Sequence, residues 1–373
     1  MQLDFEGGVM RYAFATIVLV LAVGLLLVGC GDDTTSPKKK VLEITGLIAD
    51  PDTVDPAGLS TITCSTDNPG GGDLTYAWDA GEGTISGTGA VVTWIGPIEA
   101  GTYEVSVTVE GGNSESDSDT VLIEVRRGTL LVQTDPGVVA VDMSGDYFLF
   151  RSGHFKIEVV GTRIFFGAGT ACEIDYSGNI IRMVDRPPEG PSRVTDFAVL
   201  PDAGFAFMEN WGDTITFVTP DGAFIENVVM PEASEINQGL YGVVVGNRLI
   251  ISENGYHKLV EVDLTTRDAS IFKDLSHLGG WLLDVDYSNG VYYMAQYADI
   301  FEFTEDGDAE VLFNLPDGFM LYLAVVGKYA YASDRNAGKI YRVDVFTGEG
   351  EVFVEGLDDP RDIEYLPVAL EAP

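Results

Sequence analysis

The sequence predicts an all-β protein, an N-terminal β-sandwich followed by a six-bladed β-propeller, and three observations carry that prediction. Short segments alternate apolar and polar residues with period two, and Gly, Pro, Asn and Asp interrupt them at close intervals. The C-terminal two thirds of the chain also repeats a hairpin signature at spacings of 33, 44, 44, 41 and 41 residues, counted between Gly145, Gly178, Gly222, Thr266, Gly307 and Gly348. Glycine, at 44 of 373 residues, is well above its usual ~7% share, which implies many turns.

The chain opens on an uncharged, mostly apolar stretch, Tyr12 to Val28, followed at once by Gly29, Cys30 and Gly31. Its length and flanks suit the apolar region of a secretory signal better than a membrane span. Residues 1–9 carry Asp4 and Glu6 and no basic residue, whereas Met10 and Arg11 begin a conventional leader, so translation is expected to start at Met10. The closing Leu27-Val28-Gly29-Cys30 resembles the lipobox of bacterial lipoproteins. That resemblance implies a signal peptide over residues 1–30, cleavage before Cys30, acylation of Cys30 and attachment to a membrane of the bacterial cell envelope, the outer membrane being favoured. Several acyl chains together give stable anchoring. Residues 31–40 then read as a polar tether.

Residues 41–127 contain the strands of the sandwich, with Tyr103, Val105, Val107 and Val109 on one face. The segment resembles immunoglobulin-like and PKD-type modules. Cys64 stands at the inward Cys of the second strand, Trp78 at the core Trp, and Gly101 to Val105 at the tyrosine corner. The partner position of the bridge is Val105, so Cys64 is expected to be a small core hydrophobe, and Cys64 and Cys172 to be free, buried thiols. The run from Glu115 to Asp119 alternates carboxylates as a hard-cation loop does, or as a solvated hairpin does.

Residues 128–373 read as six blades. One series of tight hairpins includes "DMSGDY" (142–147), "DYSGNI" (175–180), "TPDGAF" (219–224) and "FTGEGE" (346–351). A second series of paired apolar strands ends with a lone strand at Ile363, whose partners lie between Thr129 and Ser152, so one blade is expected to be composite. Closing the ring in this way removes sheet edges. The segment Tyr331 to Pro367 resembles repeats of NHL-type, YWTD-type and gluconolactonase-like propellers. The group ranges from peptide and glycan binders to lactone hydrolases, so fold does not settle function.

The 59 acidic against 21 basic residues argue against a nucleic-acid partner, because no basic patch interrupts the negative field. Three histidines without metal-ligand spacing, no nucleophile elbow and no phosphate loop argue against a nucleophile-based hydrolase or a nucleotide enzyme. The loops after each second strand offer Glu173 and Asp135, and a ligand-binding face of Trp211, Tyr256, His257, Tyr297 and Arg335, with Trp281, Tyr241 and Tyr322 nearby. The gluconolactonase resemblance implies a calcium-type metal held by Glu209, Asn254 and Asp334. Turn formation by Asx side chains competes with that reading. A second acidic set, Glu158, Asp284 and Glu364, aligns inside the inner strands, and is expected either to bind a divalent cation or to be neutralised by Arg361 and Arg193. Taken together, the sequence leads to a lipid-anchored envelope protein whose propeller binds a protein or glycan without chemistry. Its alternative is a divalent-metal-dependent hydrolase of the gluconolactonase type.

Overall fold

The computed structural model describes residues 41–373 apart from 113, 154–155, 168, 189–193, 210–213, 232–239, 254–256, 316–318 and 371–373. The leader, Cys30 and the tether therefore lie outside the described residues. Among those described, no helix is long and apolar enough to cross a membrane.

Two four-stranded sheets make the sandwich. One orders Glu43–Asp50, Leu59–Asp67, Val91–Ile95 and Thr84–Ser86; the other orders Thr53–Val54, Ser116–Val125, Gly101–Gly111 and Leu74–Asp79. Strand alternation turns Val105, Val107 and Val109 inward to meet Ile62, Cys64 and Val92, all of them buried. Cys64 is a buried free thiol, and Cys172 is free and half-buried. The Tyr103 hydroxyl donates to the Glu99 carbonyl at 2.8 Å, closing the corner that leads into its strand.

One expectation for this domain needs correction. The fully buried indole is Trp94, whose Nε1 donates to the Glu82 carbonyl at 3.1 Å, while Trp78 is half-buried and donates to the Gly89 carbonyl at 2.9 Å. Gly83, at φ +81°, lets the backbone close on the Trp94 ring, since a Cβ there would fall 2.5 Å from Nε1. The acidic run sits at the antiparallel hairpin of Gly101–Gly111 with Ser116–Val125, where Ser116, Ser118 and Asp119 are exposed, as the solvated-hairpin reading has it. Asp117 and Asp119 lie in the strand Ser116–Val125, and the carboxylates of Glu115 and Asp117 accept the amides of Leu42 (3.3 Å) and Ile44 (2.7 Å), stapling the first strand across to the other sheet.

Six four-stranded antiparallel sheets follow. Blades 1 to 5 begin with the inner strands Lys156–Val160, Val194–Val199, Leu240–Val245, Asp284–Ser288 and Met320–Val326. Blade 6 joins Ile363–Leu366 to Thr129–Gln133, Gly137–Asp142 and Tyr147–Ser152. Each inner strand touches the next, and Ile363–Leu366 touches those of blades 1 and 5, which closes the ring. The second strands are covered on both faces by neighbouring blades, so Phe205, Ala206, Phe207 and Met208 are all buried and the period-two signal disappears there.

The repeated hairpins owe their sequence to local bonding. Asp142, Asp175, Asp263 and Asp344 each turn a carboxylate oxygen back onto amides two to four residues on. Gly145, Gly178, Gly222 and Gly348 adopt the left-handed backbone these turns require, a role that Arg267 (φ +64°) takes in blade 3.

The sandwich docks directly on the propeller. Lys328 donates its amide to the Ala57 carbonyl at 3.1 Å, and the Tyr365 hydroxyl meets Asp55 at 3.3 Å. Gly327, at φ +58°, lies so close that a Cβ would sit 2.4 Å from the Ala57 carbonyl.

Candidate functional site

The six inner strands surround a cavity of about 340 Å3 lined by Glu158, Asp196, Asp284, Asp286, Asp362 and Glu364, with Lys156 as the one basic side chain among the described residues that line it. Their arrangement follows from strand alternation, because positions two apart face the channel together. The tier at the start of the inner strands takes one residue from each blade in turn: Lys156, Asp196, Tyr241, Asp284, Tyr322 and Asp362. Two residues on lies a second tier of Glu158, Ala198, Val243, Asp286, Ala324 and Glu364. The sequence alignment placed Asp284 in the column of Glu158 and Glu364; the structure puts Asp286 there and Asp284 in the first tier.

Inner strands leave backbone amides unpaired on the edge away from their own blade, and in blades 1, 2, 3 and 5 acids of the preceding blade accept them. Asp362 takes the amide of Ile157 at 2.5 Å, Asp196 that of Gly242 at 3.3 Å, and Asp284 that of Leu323 at 3.0 Å. In the second tier Asp286 takes Val325 at 2.7 Å and Glu158 takes Val199 at 3.5 Å. First-tier acids therefore alternate with Lys156, Tyr241 and Tyr322 around the ring, each Asp bonding the blade that follows it.

Among the described residues Lys156, and not Arg361, supplies neutralising charge to these acids. Its ammonium bonds Asp362 at 2.6 Å, lies 3.7 Å from Asp196, and sits over the rings of Tyr322 (4.3 Å) and Tyr241 (5.0 Å). Burial pulls this lysine down, yet Asp196 and Asp362 outweigh burial and leave it well above the ordinary value. Tyr241 and Tyr322 consequently pack around Lys156 at the channel instead of forming a ligand surface, their rings edge-on at 5.3 Å. Arg361 binds Asp359 instead, and Arg193 lies outside the described residues.

Burial raises Glu158, Asp196, Asp284, Asp286 and Glu364. Asp196 and Asp286 each titrate at about 6, with Lys156 opposing the rise at Asp196 and the amides of Val325 and Tyr287 opposing it at Asp286. Glu364, which also faces Glu158, stands well above the ordinary carboxylate range.

A hard-cation site needs several oxygens free to converge. Among the described residues no group of three His, Cys, Asp or Glu side chains is arranged to hold a metal ion. Five of the six channel acids are engaged on backbone amides. Of the other metal set, Asn254 and the side chain of Glu209 lie outside the described residues. Asp334 is buried and accepts the amides of Asn336 and Ala337, each at 3.0 Å, as a turn-forming carboxylate does. Glu173, read from sequence as a loop ligand, belongs to the strand Thr170–Ile174 and binds Arg163 and Arg182, each at 2.7 Å.

On the face where second strands end, part of the predicted surface does come together. Trp281, 42% exposed, stacks on Tyr297 with centroids 5.8 Å apart at 25°, and Tyr297 meets Phe319 edge-on at 5.5 Å. Arg335 donates its amide to the Phe319 carbonyl at 3.3 Å, while its guanidinium and that of Arg361 both bind Asp359. Burial would raise Asp359, but the two guanidiniums outweigh it and hold its carboxyl below the ordinary value. Tyr297 and Asp359 take left-handed backbone at φ +48° and +50°, strain that fixes the direction of both side chains. Gly280 makes room for this: a Cβ there would lie 3.0 Å from the Tyr297 ring. Phe319, Asp359 and Arg361 escaped the sequence reading of this strip because they enter from loops before inner strands, where no periodic signal marks them. His257 is half-buried on the same face, at φ +55°, with its Nδ1 buried and unpartnered among the described residues. Trp211 and Tyr256 lie outside those residues.

Residues 52–124 match the family model for the PKD domain. The PKD module thus occupies the first sandwich, as its tyrosine corner suggests. For the chain beyond it, a chain of the nidogen/laminin complex superposes with a TM-score of 0.53 at 10% identity, over 64% of this chain and 98% of that one. The likeness shows the propeller fold alone. Virginiamycin B lyase from Staphylococcus aureus (TM-score 0.43, 16% identity, 60% of this chain and 83% of that one) is more remote. So is a protein of unknown function from Bacteroides caccae (TM-score 0.47, 12% identity, 65% of this chain and 99% of that one). A search of curated proteins gave no match.

Proposed function

We propose that this chain is a lipid-anchored protein of the bacterial cell envelope whose propeller binds a protein or glycan ligand without transforming it. The observation that carries the reading is the strip of Trp281, Tyr297 and Phe319 continued by Arg335, Asp359 and Arg361. Flat rings beside planar charged groups suit recognition, because they combine apolar contact area with directional hydrogen bonds at little entropic cost. The channel supports the same reading, since most of its carboxylates are engaged in joining blades. The anchor rests on the Leu27–Cys30 motif. A metal-dependent hydrolase draws no support from the described geometry.

Two experiments test the proposal. Mass spectrometry of the N-terminal peptide should show an acylated Cys30, and Cys30→Ala should leave the protein soluble; an unmodified, internal Cys30 would remove the anchor from the proposal. Co-purification and glycan-binding screens with the chain from residue 31 onward should return a ligand that Trp281→Ala loses by tenfold or more. A ligand retained fully by Trp281→Ala and Arg335→Ala would place recognition elsewhere.

A further inference from the structure

A second cavity, of about 670 Å3, opens at the junction of the PKD module with blades 5 and 6, and three arginines, Arg126, Arg127 and Arg342, contribute to its lining. In a chain with 59 acidic and 21 basic residues, three arginines on one cleft are a marked local departure. We propose that this cleft binds an amphiphilic anion, a carboxylate or phosphate head on an apolar chain, with Arg127 as the main contact to the head.

The three arginines are not equivalent. Arg342 is held in place by Glu351 and lies over the rings of Tyr329 (4.9 Å) and Phe353 (5.2 Å), so it is oriented before any ligand arrives. Arg126 reaches Asp55 at 3.4 Å. Arg127 is exposed and has no partner among the described residues, which leaves its five donors available to an incoming oxyanion.

Two acids also line the cleft, Glu99 and Asp142. Asp142 is engaged within its own hairpin, where one carboxylate oxygen accepts the amides of Ser144 (2.9 Å) and Asp146 (3.1 Å). Glu99 is then the one lining carboxylate not fixed elsewhere by a hydrogen bond, and, with Arg126 paired to Asp55 and Arg342 to Glu351, Arg127 is the cation left uncompensated. The remaining wall is apolar, with Pro56, Ile98, Met143 and Leu370. Apolar walls with a few convergent polar groups, in a volume of several hundred Å3, are the usual form of a small-molecule site. A head group alone would leave those walls wet, and an apolar chain alone would leave Arg127 without an anion. The site therefore selects a ligand that has both parts.

Isothermal titration of the chain from residue 31 onward with decanoate and decyl phosphate, below their micellar concentrations, tests this. Saturable binding of one ligand per chain is expected, weakened about tenfold by Arg127→Gln, since a hydrogen bond to a charged group is lost. Decyl maltoside, which has the chain without the charge, and inorganic phosphate, which has the charge without the chain, should each bind at least tenfold more weakly than decyl phosphate. Trp281→Ala should leave all these affinities unchanged, which separates this site from the aromatic strip. Absence of saturable binding, equal affinity for decyl maltoside, or an unchanged affinity in Arg127→Gln would overturn the proposal. Co-sedimentation with phosphatidylglycerol vesicles, but not phosphatidylcholine vesicles, that depends on Arg127 would identify the head group as a lipid's. Decanoate binding without such co-sedimentation would identify a free anion.

Discussion

Asp362 is the side chain on which closure of the ring most directly depends. It is 4% exposed, belongs to the segment leading into the last inner strand, and reaches the first blade twice, through the Ile157 amide at 2.5 Å and the Lys156 ammonium at 2.6 Å. Asp362→Ala removes one partner of a buried ion pair, which typically costs about 3–5 kcal/mol. Asp196 stays 3.7 Å from Lys156 and offsets part of that loss, while the stranded Ile157 amide adds about 1–3 kcal/mol of its own. These effects share one site and do not simply add, so a net loss of about 3–4 kcal/mol is expected. Asp362→Asn keeps an acceptor for Ile157 and should lose less. Denaturant unfolding followed by tryptophan fluorescence measures both variants, and the slope of the transition reports whether the folded state has loosened. A loss below about 1 kcal/mol for Asp362→Ala would refute the argument, because the carboxylate would then be no better than solvent at satisfying Lys156 and Ile157.

Three other predictions follow from the same geometry. Asp286 titrates at about 6 against an ordinary 3.8, so its protonated form favours folding: its contribution is full below pH 4 and is lost as pH rises through 6, by an upper bound of about 3 kcal/mol. Asp286→Asn should accordingly flatten the pH dependence of the melting temperature between pH 4 and 7 and raise it at pH 7; an unchanged profile would show that water in the channel screens the charge. Gly327→Ala places a methyl against the Ala57 carbonyl at a left-handed position, and should cost about 1–3 kcal/mol while increasing proteolysis at the linker around Arg126–Gly128, which limited trypsin digestion would detect. Calcium or EDTA at millimolar concentration should leave the melting temperature unchanged to within a degree. A rise of several degrees with calcium would restore a metal to the oxygens outside the described residues.

The parts of the fold legible in sequence are those with local causes. The hairpins showed because Asp142, Asp175 and Asp344 bond their own turns and a following Gly takes the left-handed backbone, so the motif recurs wherever the turn does. The composite sixth blade could be anticipated from a lone strand at Ile363 and unmatched strands after Thr129. What sequence could not supply was anything set across blades. A slip of two residues in blade 4 is invisible to a period-two pattern, and it placed Asp284 where Asp286 belongs. Lys156 attracted no notice in the sequence because its partners, Asp196 and Asp362, are 40 and 206 residues away. Trp94 was overlooked for Trp78 because the family pattern was weighed above the strand's own alternation, which sends Val92 and Trp94 inward together.

The acidic channel resembled a metal site because converging carboxylates call for a counter-charge, but the six-fold ring creates a different demand first. Every inner strand has an edge without a partner, and its amides must be accepted by something in a space too narrow for another strand. A carboxylate from the preceding blade meets that demand with a stronger acceptor than an amide or hydroxyl. Burial raises the pKa of Asp196, Asp284 and Asp286, and the first tier limits the accumulated charge by alternating Asp with Lys156, Tyr241 and Tyr322. Once Asp196, Asp284, Asp286 and Asp362 are so engaged, moving any of them toward a substrate would unpair a blade. Recognition is then best placed where side chains are free of that duty, on the Trp281 strip and in the arginine cleft beside the PKD module. Loss of function without change of stability should accordingly map to those two regions, and changes of stability, of either sign, to the channel.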